Sequence, residues 1–311
     1  MRAFRDPPKK ENPKTPKTGT PTNKTTQNRS KKPGEKMIVL CTMLMWSLPF
    51  VAVPYALLVG RVLDVLLVAA FYVALGVAVS RIVLPKPYSD SDSDSVLDAA
   101  PRLTLCHPHG IVCTGFAVIA FGDKKWNAKR RQYFGPPHFL CDQRLTLLAG
   151  IWTWFASCCC SSSSRASMVR LMRAKKDLYL FPGGFVEAAR HSYNRDVVDV
   201  GSRGAIRLAL IHGYAVRVCF VFGERKTAYN LQGMRGIRIS LAKRGIPTCI
   251  PLLVPWARTP TVAFSPTIQF PLVSDPSLSD VERWHATYVA TLRALHARHR
   301  GVDDELVVHG I

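Results

Sequence analysis

Two histidines in the segment His107-Pro108-His109-Gly110 are well suited to proton transfer near neutral pH. The segment follows Leu103 to Cys106, a largely apolar run that predicts a buried strand, and α/β proteins commonly place their sites at strand ends. Because residues two apart on an extended chain share one face, the two imidazoles could instead bind a metal. No further Cys/His cluster at ligand spacing accompanies them, so we predict no metal site.

A pair of glycines follows a second predicted strand, in the segment Phe181-Pro182-Gly183-Gly184-Phe185-Val186-Glu187. Adjacent glycines let the backbone approach a ligand closely, and their N–H groups can bind an anionic oxygen. Glu187 adds a carboxylate that could orient a histidine and stabilise its charged form. Taken alone, the segment is more typical of a tight turn that carries a surface glutamate.

The elements that must position these segments alternate between strands and helices over residues 97–311, which indicates an α/β domain. Strands are predicted at Leu178 to Phe181 and at Ala215 to Phe222. Between them, the apolar spacing of Arg203 to His212 predicts a helix, with Gly213 as its C-cap.

A last helix is predicted behind a capping box formed by Ser279 and Glu282. Its apolar positions, from Val281 to Leu295, lie on one face. Three histidines in this helix stand next to arginines, and we expect them on a solvated face; they are His285, His296 and His299.

The 311-residue chain has 42 Lys and Arg against 21 Asp and Glu, a net charge of +21, and 48% hydrophobic residues. Its apolar content excludes wholesale disorder, and its positive charge favours anionic partners. The nine cysteines include no C-x-x-C pair, which argues against a disulfide scaffold or a zinc ribbon. No zinc finger or RRM-like motif accompanies the charge, so we predict no nucleic-acid partner.

Three segments precede the α/β domain. Residues 1–36 form a basic, low-complexity tail that we expect to be disordered. Residues 37–87 contain two apolar stretches, of which the first, Met37 to Val59, has 23 residues without a charge, enough to span a bilayer. Because basic residues flank this region on both sides, we predict a spanning or re-entrant membrane hairpin with both flanks in the cytosol; the alternative is a pair of buried core helices. Residues 88–96 are a Ser/Asp linker.

The order of these motifs resembles the type-2 diacylglycerol acyltransferase family, which includes monoacylglycerol and wax-alcohol acyltransferases. The resemblance rests on His-Pro-His-Gly after an apolar hairpin, then Phe-Pro-Gly-Gly-x-x-Glu-Ala, then a helix ending in His-Gly, a strand and Phe-Gly-Glu. The region around Trp284, His285 and Tyr288 also looks like the last helix of the family. The resemblance covers residues 37–311 and leaves the tail outside.

The resemblance implies a glycerolipid-acyltransferase-like α/β domain behind an N-terminal membrane helical hairpin. It implies transfer of a fatty acyl group from acyl-CoA to diacylglycerol, with His109 as general base, His107 as a structural or helper residue, and Glu187 orienting His109. The residues expected to contact substrate are Pro108, Gly110, Pro182, Gly183 and Gly184. Related lysophospholipid acyltransferases use a His with an Asp five positions on. Here those positions are Val112 and Thr114, so the carboxylate must come from elsewhere.

The same resemblance implies acyl-CoA, diacylglycerol and membrane lipid as partners, and no cofactor, since acyl-CoA is a substrate. It places the chain in the endoplasmic reticulum membrane with both termini cytosolic, and a hairpin of this kind would also suit a lipid droplet. Monoacylglycerol or a long-chain alcohol stays open as the acceptor, as does a homo-oligomer. A non-catalytic membrane protein that recruits partners through its basic tail is the competing hypothesis from another class.

Overall fold

The computed structural model describes residues 88–89, 100–111, 113–126, 128–142, 159–230, 233–246, 248–249, 251–254, 260–301 and 304–311. The predicted tail, the predicted hairpin and most of the predicted linker lie outside the described residues. Tyr88 and Ser89, the first two linker residues, form a short strand at the edge of the main sheet. None of the helices within those ranges combines the length and the apolar character that crossing a bilayer requires.

Seven strands of the described residues form the main sheet. They are β1 (Tyr88–Ser89), β2 (Arg102–His107), β3 (His138–Cys141), β4 (Cys160–Ser162), β5 (Leu178–Leu180), β7 (Ala215–Phe222) and β10 (Thr261–Phe264). Their order is β1-β10-β7-β2-β5-β3-β4, with β10 antiparallel to β7 and the other neighbours parallel. Two short sheets pair β6 (Asp196–Asp199) with β11 (Leu306–His309) and β8 (Ala228–Asn230) with β9 (Pro251–Leu253).

Helices separate most of these strands, which confirms the predicted α/β class. They are α1 (Thr114–Trp126), α2 (Ala128–Phe134), α3 (Arg165–Arg173), α4 (Gly184–Arg190), α5 (Gly204–His212), α6 (Arg235–Lys243) and α7 (Leu278–His299), with a 3₁₀ turn at Glu224–Lys226. Helix α5 ends as predicted, because Gly213 adopts the left-handed conformation (φ 61°) and its N–H bonds the last turn.

The core lies between one face of the main sheet and helices α3, α5 and α7. Leu103 and Leu105 of β2 point into it, and because side chains alternate along a strand, His107 at the end of β2 points the same way. The helices contribute Met168, Leu171, Met172, Ile206, Ala209, Leu210, Tyr288, Leu292 and Leu295. Each fully buried Leu or Met side chain stabilises the fold by about 1.5–3 kcal/mol. The packed core therefore fixes the position of the strand end that carries the histidines.

Helix α7 begins two residues earlier than the sequence predicts. Its capping box pairs Ser277 with Asp280, since each side chain bonds the backbone N–H of the other. The predicted pair of Ser279 and Glu282 was wrong, and Glu282 instead forms an ion pair with Arg203.

Two of the three histidines of α7 also differ from the sequence prediction. His285 and His296 are buried, because they lie on the core side of the helix. Nε2 of His285 lies 2.7 Å from the carbonyl oxygen of Val200, and Nε2 of His296 lies 3.3 Å from the carboxylate of Asp196. The prediction placed these histidines in solvent because arginines are their neighbours in the sequence. The hydrogen-bond partners that allow them to be buried come from other elements, and the spacing of residues within one helix does not reveal such partners.

Candidate active site

The predicted functional segments meet where three neighbouring parallel strands end. Strands β5, β2 and β7 lie side by side and run in the same direction, so their carboxyl ends share one edge of the sheet. At that edge β2 leads into the two histidines, β5 leads into the glycine pair and α4, and β7 leads into Glu224. The topology therefore gathers residues that are far apart in the chain.

Glu187 is the buried carboxylate that connects these segments, and only 1% of its surface is exposed. Its Oε2 lies 2.9 Å from Nδ1 of His107 and 2.8 Å from the backbone nitrogen of Asp199. Its Oε1 accepts a hydrogen bond from the backbone N–H of His109. One carboxylate thus joins the end of β2, the helix α4 and the end of β6.

His107 is fully enclosed, and both of its ring nitrogens have partners. Nδ1 donates to Glu187, since a carboxylate can only accept. Nε2 is bonded by the hydroxyl of Tyr288, which comes from the middle of α7. In this arrangement the ring holds Glu187 and Tyr288 together in the interior, and neither of its nitrogens is open.

His109 is half-buried, and its ring is held differently. Nδ1 lies 2.9 Å from the carbonyl oxygen of Gly110, which can only accept, so Nδ1 carries the proton in the neutral ring. Nε2 then carries the lone pair, and no hydrogen bond to it occurs among the described residues. Burial lowers the pKa of His109 below its ordinary value, against an opposing hydrogen bond to Gly110. The ring also meets Phe181 edge-on, with centroids 6.0 Å apart.

Two glycines of the site are required by close approach. A Cβ on Gly183 would lie 2.1 Å from Oε2 of Glu187, although its backbone (φ −70°, ψ −28°) suits any residue. Gly110 has a φ of +66°, and a Cβ there would lie 2.5 Å from Oε1 of Glu224. The glycines therefore let two buried carboxylates sit directly behind the histidine segment.

The second of these carboxylates, Glu224, follows the end of β7 and is fully buried. Its two oxygens lie 2.9 Å from the backbone nitrogen of Thr114 and 2.7 Å from that of Gly115, so it caps the first turn of α1. Burial raises the pKa of Glu224 to about 8, although both N–H bonds act in the opposite direction. Glu224 thus anchors the helix that follows the histidine segment.

Comparison with known proteins places this site in a family. A family model described as diacylglycerol acyltransferase matches residues 102–305, which contain every residue of the site. The chain belongs to the diacylglycerol acyltransferase family. The predicted family is thereby confirmed, and the chain is an acyltransferase. The crystal structure of the 1-acyl-sn-glycerophosphate (LPA) acyltransferase PlsC from Thermotoga maritima is similar at 11% identity and a TM-score of 0.43, covering 86% of this chain and 99% of PlsC.

In this member of the family the predicted site residues do come together, with one difference. The sequence prediction has Glu187 orient the ring of His109, whereas the structure pairs Glu187 with the ring of His107 and with only the backbone N–H of His109. The reason is that side chains alternate between the two faces of a strand, and this alternation points the ring of His107 into the interior, towards α4 and α7. Pro108, between them, is buried and follows a cis peptide bond, and Pro182 is half-buried at the start of the glycine turn.

Sequence reasoning missed three further residues of the site: Asp199, Glu224 and Tyr288. Glu224 could have been found, because it follows a predicted strand just as the two recognised segments do. Tyr288 was recognised only as part of the last helix, with no role in the site. Nothing local marks Asp199, which contributes a backbone N–H.

Proposed function

We propose that this protein is an acyl-CoA:diacylglycerol O-acyltransferase that forms triacylglycerol by direct acyl transfer with His109 as general base. The observation that carries the proposal is the fixed tautomer of His109. Its Nδ1–H is held by Gly110, so the lone pair of Nε2 is available on a half-buried ring at the edge of the sheet. The lowered pKa keeps that ring neutral near pH 7, as a base must be.

The reaction needs no covalent enzyme intermediate. Nε2 of His109 takes the proton of the acceptor hydroxyl, and the oxygen attacks the thioester carbon of acyl-CoA. The backbone N–H groups of Gly183 and Gly184, in the first turn of α4, are our candidates to stabilise the oxyanion. The C–S bond then breaks, and coenzyme A leaves as a thiolate, a good leaving group because thiols have a pKa of about 8.5. The imidazolium returns the proton to that thiolate.

Glu187 and His107 have positioning roles in this mechanism. Glu187 holds the backbone of His109 and the ring of His107, so it sets where the base lies without touching its ring. His107 is a poor candidate for the base, because Tyr288 occupies its Nε2 and its side chain is enclosed. The remaining predicted contact residues, Pro108 and Pro182, shape the two turns beside the base.

The acceptor and the compartment belong to the proposal. Family membership supports acyl transfer, and the family name supports diacylglycerol over other hydroxyl lipids. The predicted apolar hairpin of residues 37–87 would hold the enzyme in the endoplasmic reticulum membrane, with both termini cytosolic, or on a lipid droplet. Acyl-CoA, diacylglycerol and membrane lipid are the partners expected, and no cofactor is required.

The test is acyl transfer by the full chain in microsomes of yeast that lacks its own neutral-lipid acyltransferases. Labelled acyl-CoA would be supplied with diacylglycerol, monoacylglycerol or a long-chain alcohol. We expect labelled triacylglycerol from the parent and from His212→Ala, a histidine change outside the site, and none from His109→Ala at equal protein level. Labelled wax ester or diacylglycerol as the main product would change the acceptor, and full activity in His109→Ala would remove the proposed base.

A further inference from the structure

Helix α6 and the turn after it expose large apolar side chains. Met234 before the helix is 74% exposed, Ile237 within it is 60% exposed, and Ile246 beyond it is 46% exposed. Leu241, half-buried, lies on the same side of the helix as Ile237, because positions four apart are neighbours on a helix surface. Large apolar side chains that lie close together are uncommon on a surface that faces only water. Their exposure therefore indicates a partner that accepts apolar side chains.

Exposed cations lie close to these apolar residues in the chain, and no acidic residue lies near them in the sequence. Arg235, Lys243 and Arg244 are all exposed, and residues 225–274 contain seven Lys or Arg and no Asp or Glu. We call Met234, Ile237, Ile246 and these three cations the α6 face. The positive charge of the α6 face favours a partner with an anionic surface. Its apolar side chains favour a partner that has apolar material directly beneath that surface.

The α6 face is joined directly to the active-site helix. From the buried side of α6, Nη2 of Arg238 donates to the carbonyl oxygen of Ala189 in α4 at 2.7 Å. Nη1 of the same guanidinium lies 3.2 Å from Oδ1 of Asn230 in β8. Helix α4 also carries Glu187. A partner bound to the α6 face would therefore have a fixed position relative to the active site.

We propose that the α6 face docks on the surface of a bilayer that contains anionic lipid. Apolar side chains enter the boundary between headgroups and acyl chains, while the arginines and the lysine reach the lipid phosphates. A nucleic acid would satisfy the cations and leave the aliphatic strip in water. A stable protein interface buries about 800 Å² per partner, more than three side chains on one short helix supply. Docking holds α4 and the edge of the sheet at the membrane surface.

Photo-crosslinking of the full chain in lipid nanodiscs tests this proposal without any use of catalytic activity. The crosslinking residue p-benzoylphenylalanine would replace Ile237 or, in a second protein, Met234. Leu272 is the matched control, because it is apolar, 72% exposed, and lies against Gly213 at the amino end of β7, the opposite edge of the sheet. Nanodiscs of phosphatidylcholine alone would be compared with nanodiscs that also contain phosphatidylserine, and lipid adducts would be counted by mass spectrometry.

With phosphatidylserine present, we expect about tenfold more lipid adducts at positions 237 and 234 than at 272. Combining Arg235→Glu, Lys243→Glu and Arg244→Glu should reduce the adducts at 237 to the level of the control, while an unchanged thermal unfolding temperature shows that the variant is folded. Equal labelling at 237 and 272, labelling that ignores anionic lipid, or crosslinks to a second copy of the chain would each overturn the proposal. Because no readout depends on acyl transfer, failure here is distinct from failure of the proposed function.

Discussion

Glu187 hydrogen-bonds the ring of His107, with Oε2 2.9 Å from Nδ1, and reaches His109 only through its backbone N–H. The two histidines of one motif therefore have different environments. His107 is enclosed with both nitrogens bonded, and His109 is half-buried with its proton on Nδ1. This division of roles makes the consequences of changing each histidine separable.

Replacing His109 by Ala should remove acyl transfer and leave the fold intact. Loss of a general base costs about 10²- to 10⁴-fold in rate, and the half-buried ring supports no other side chain by hydrogen bonding among the described residues. The measurement is kcat with acyl-CoA and the preferred acceptor, beside the thermal unfolding temperature.

His107→Ala provides the contrast for that experiment. It leaves the buried Glu187 carboxylate and the Tyr288 hydroxyl without their partner, so both activity and stability should fall, the latter by about 1–3 kcal/mol. If His107→Ala kept its stability while His109→Ala lost it, the assignment of positioning and base would have to be exchanged.

Gly183→Ala should disrupt the site through a single methyl group. The backbone of Gly183 accepts alanine, so the effect comes from the contact of 2.1 Å between the new Cβ and Oε2 of Glu187. Overpacking of this kind costs about 1–3 kcal/mol, and the displaced carboxylate should lower kcat as well. Chemical denaturation and the acyltransferase assay measure the two effects.

Gly236→Ala is the matched control for that change. A Cβ on Gly236, in α6, meets nothing within 4 Å, so this variant should be neutral or more stable by up to about 1 kcal/mol. Equal stability of Gly183→Ala and Gly236→Ala would show that Glu187 can move away from Gly183 without cost.

The stability contributed by Glu224 should decline as the pH rises. Its pKa is raised from 4.5 to about 8 on folding, so between these values the folded protein holds a proton that the unfolded chain releases. The contribution is complete below pH 4.5, is lost as the pH rises towards 8, and is constant above that.

Comparison with Glu224→Gln isolates this effect, because glutamine does not titrate and the other groups are common to both proteins. The difference in free energy of unfolding, parent minus variant, should fall by about 1 kcal/mol per pH unit between pH 5 and 8. A difference that stays flat over this range would mean that Glu224 is ionised in the folded protein at every pH tested.

The rate of acyl transfer should stay constant as the pH is lowered from neutral into the mildly acid range. Burial lowers the pKa of His109 below 6.5, so the base stays unprotonated until the pH falls below that value. The acid limb of kcat/KM should therefore have an apparent pKa under 6.5. An acid limb above 6.5, in a pH range where the protein is fully folded, would contradict a desolvated neutral His109.

Much of the arrangement could be predicted from local sequence. The strands that precede the histidine and glycine segments, the α5 helix and the Gly213 cap follow from apolar spacing and from the left-handed conformation that glycine permits. The resemblance to the family implied that Glu187 meets the histidine segment, and the structure brings them together because neighbouring parallel strands end at one edge of the sheet. The start of α7 was less predictable, because two Ser-x-x-acid patterns overlap there and only one can close the first turn.

The order of motifs in the sequence indicated the family by resemblance. Side-chain chemistry and short-range periodicity indicated the α/β class and the residues at the strand ends. Only the tertiary structure decided which histidine ring Glu187 meets, 80 residues away, and that Tyr288 closes the other side of His107 from 181 residues away. It likewise placed Glu224 behind Gly110. Hydrogen bonds act over about 3 Å, whereas sequence patterns locate an element only to within a residue or two, so pairings of this kind are set by the packing of sheet and helices.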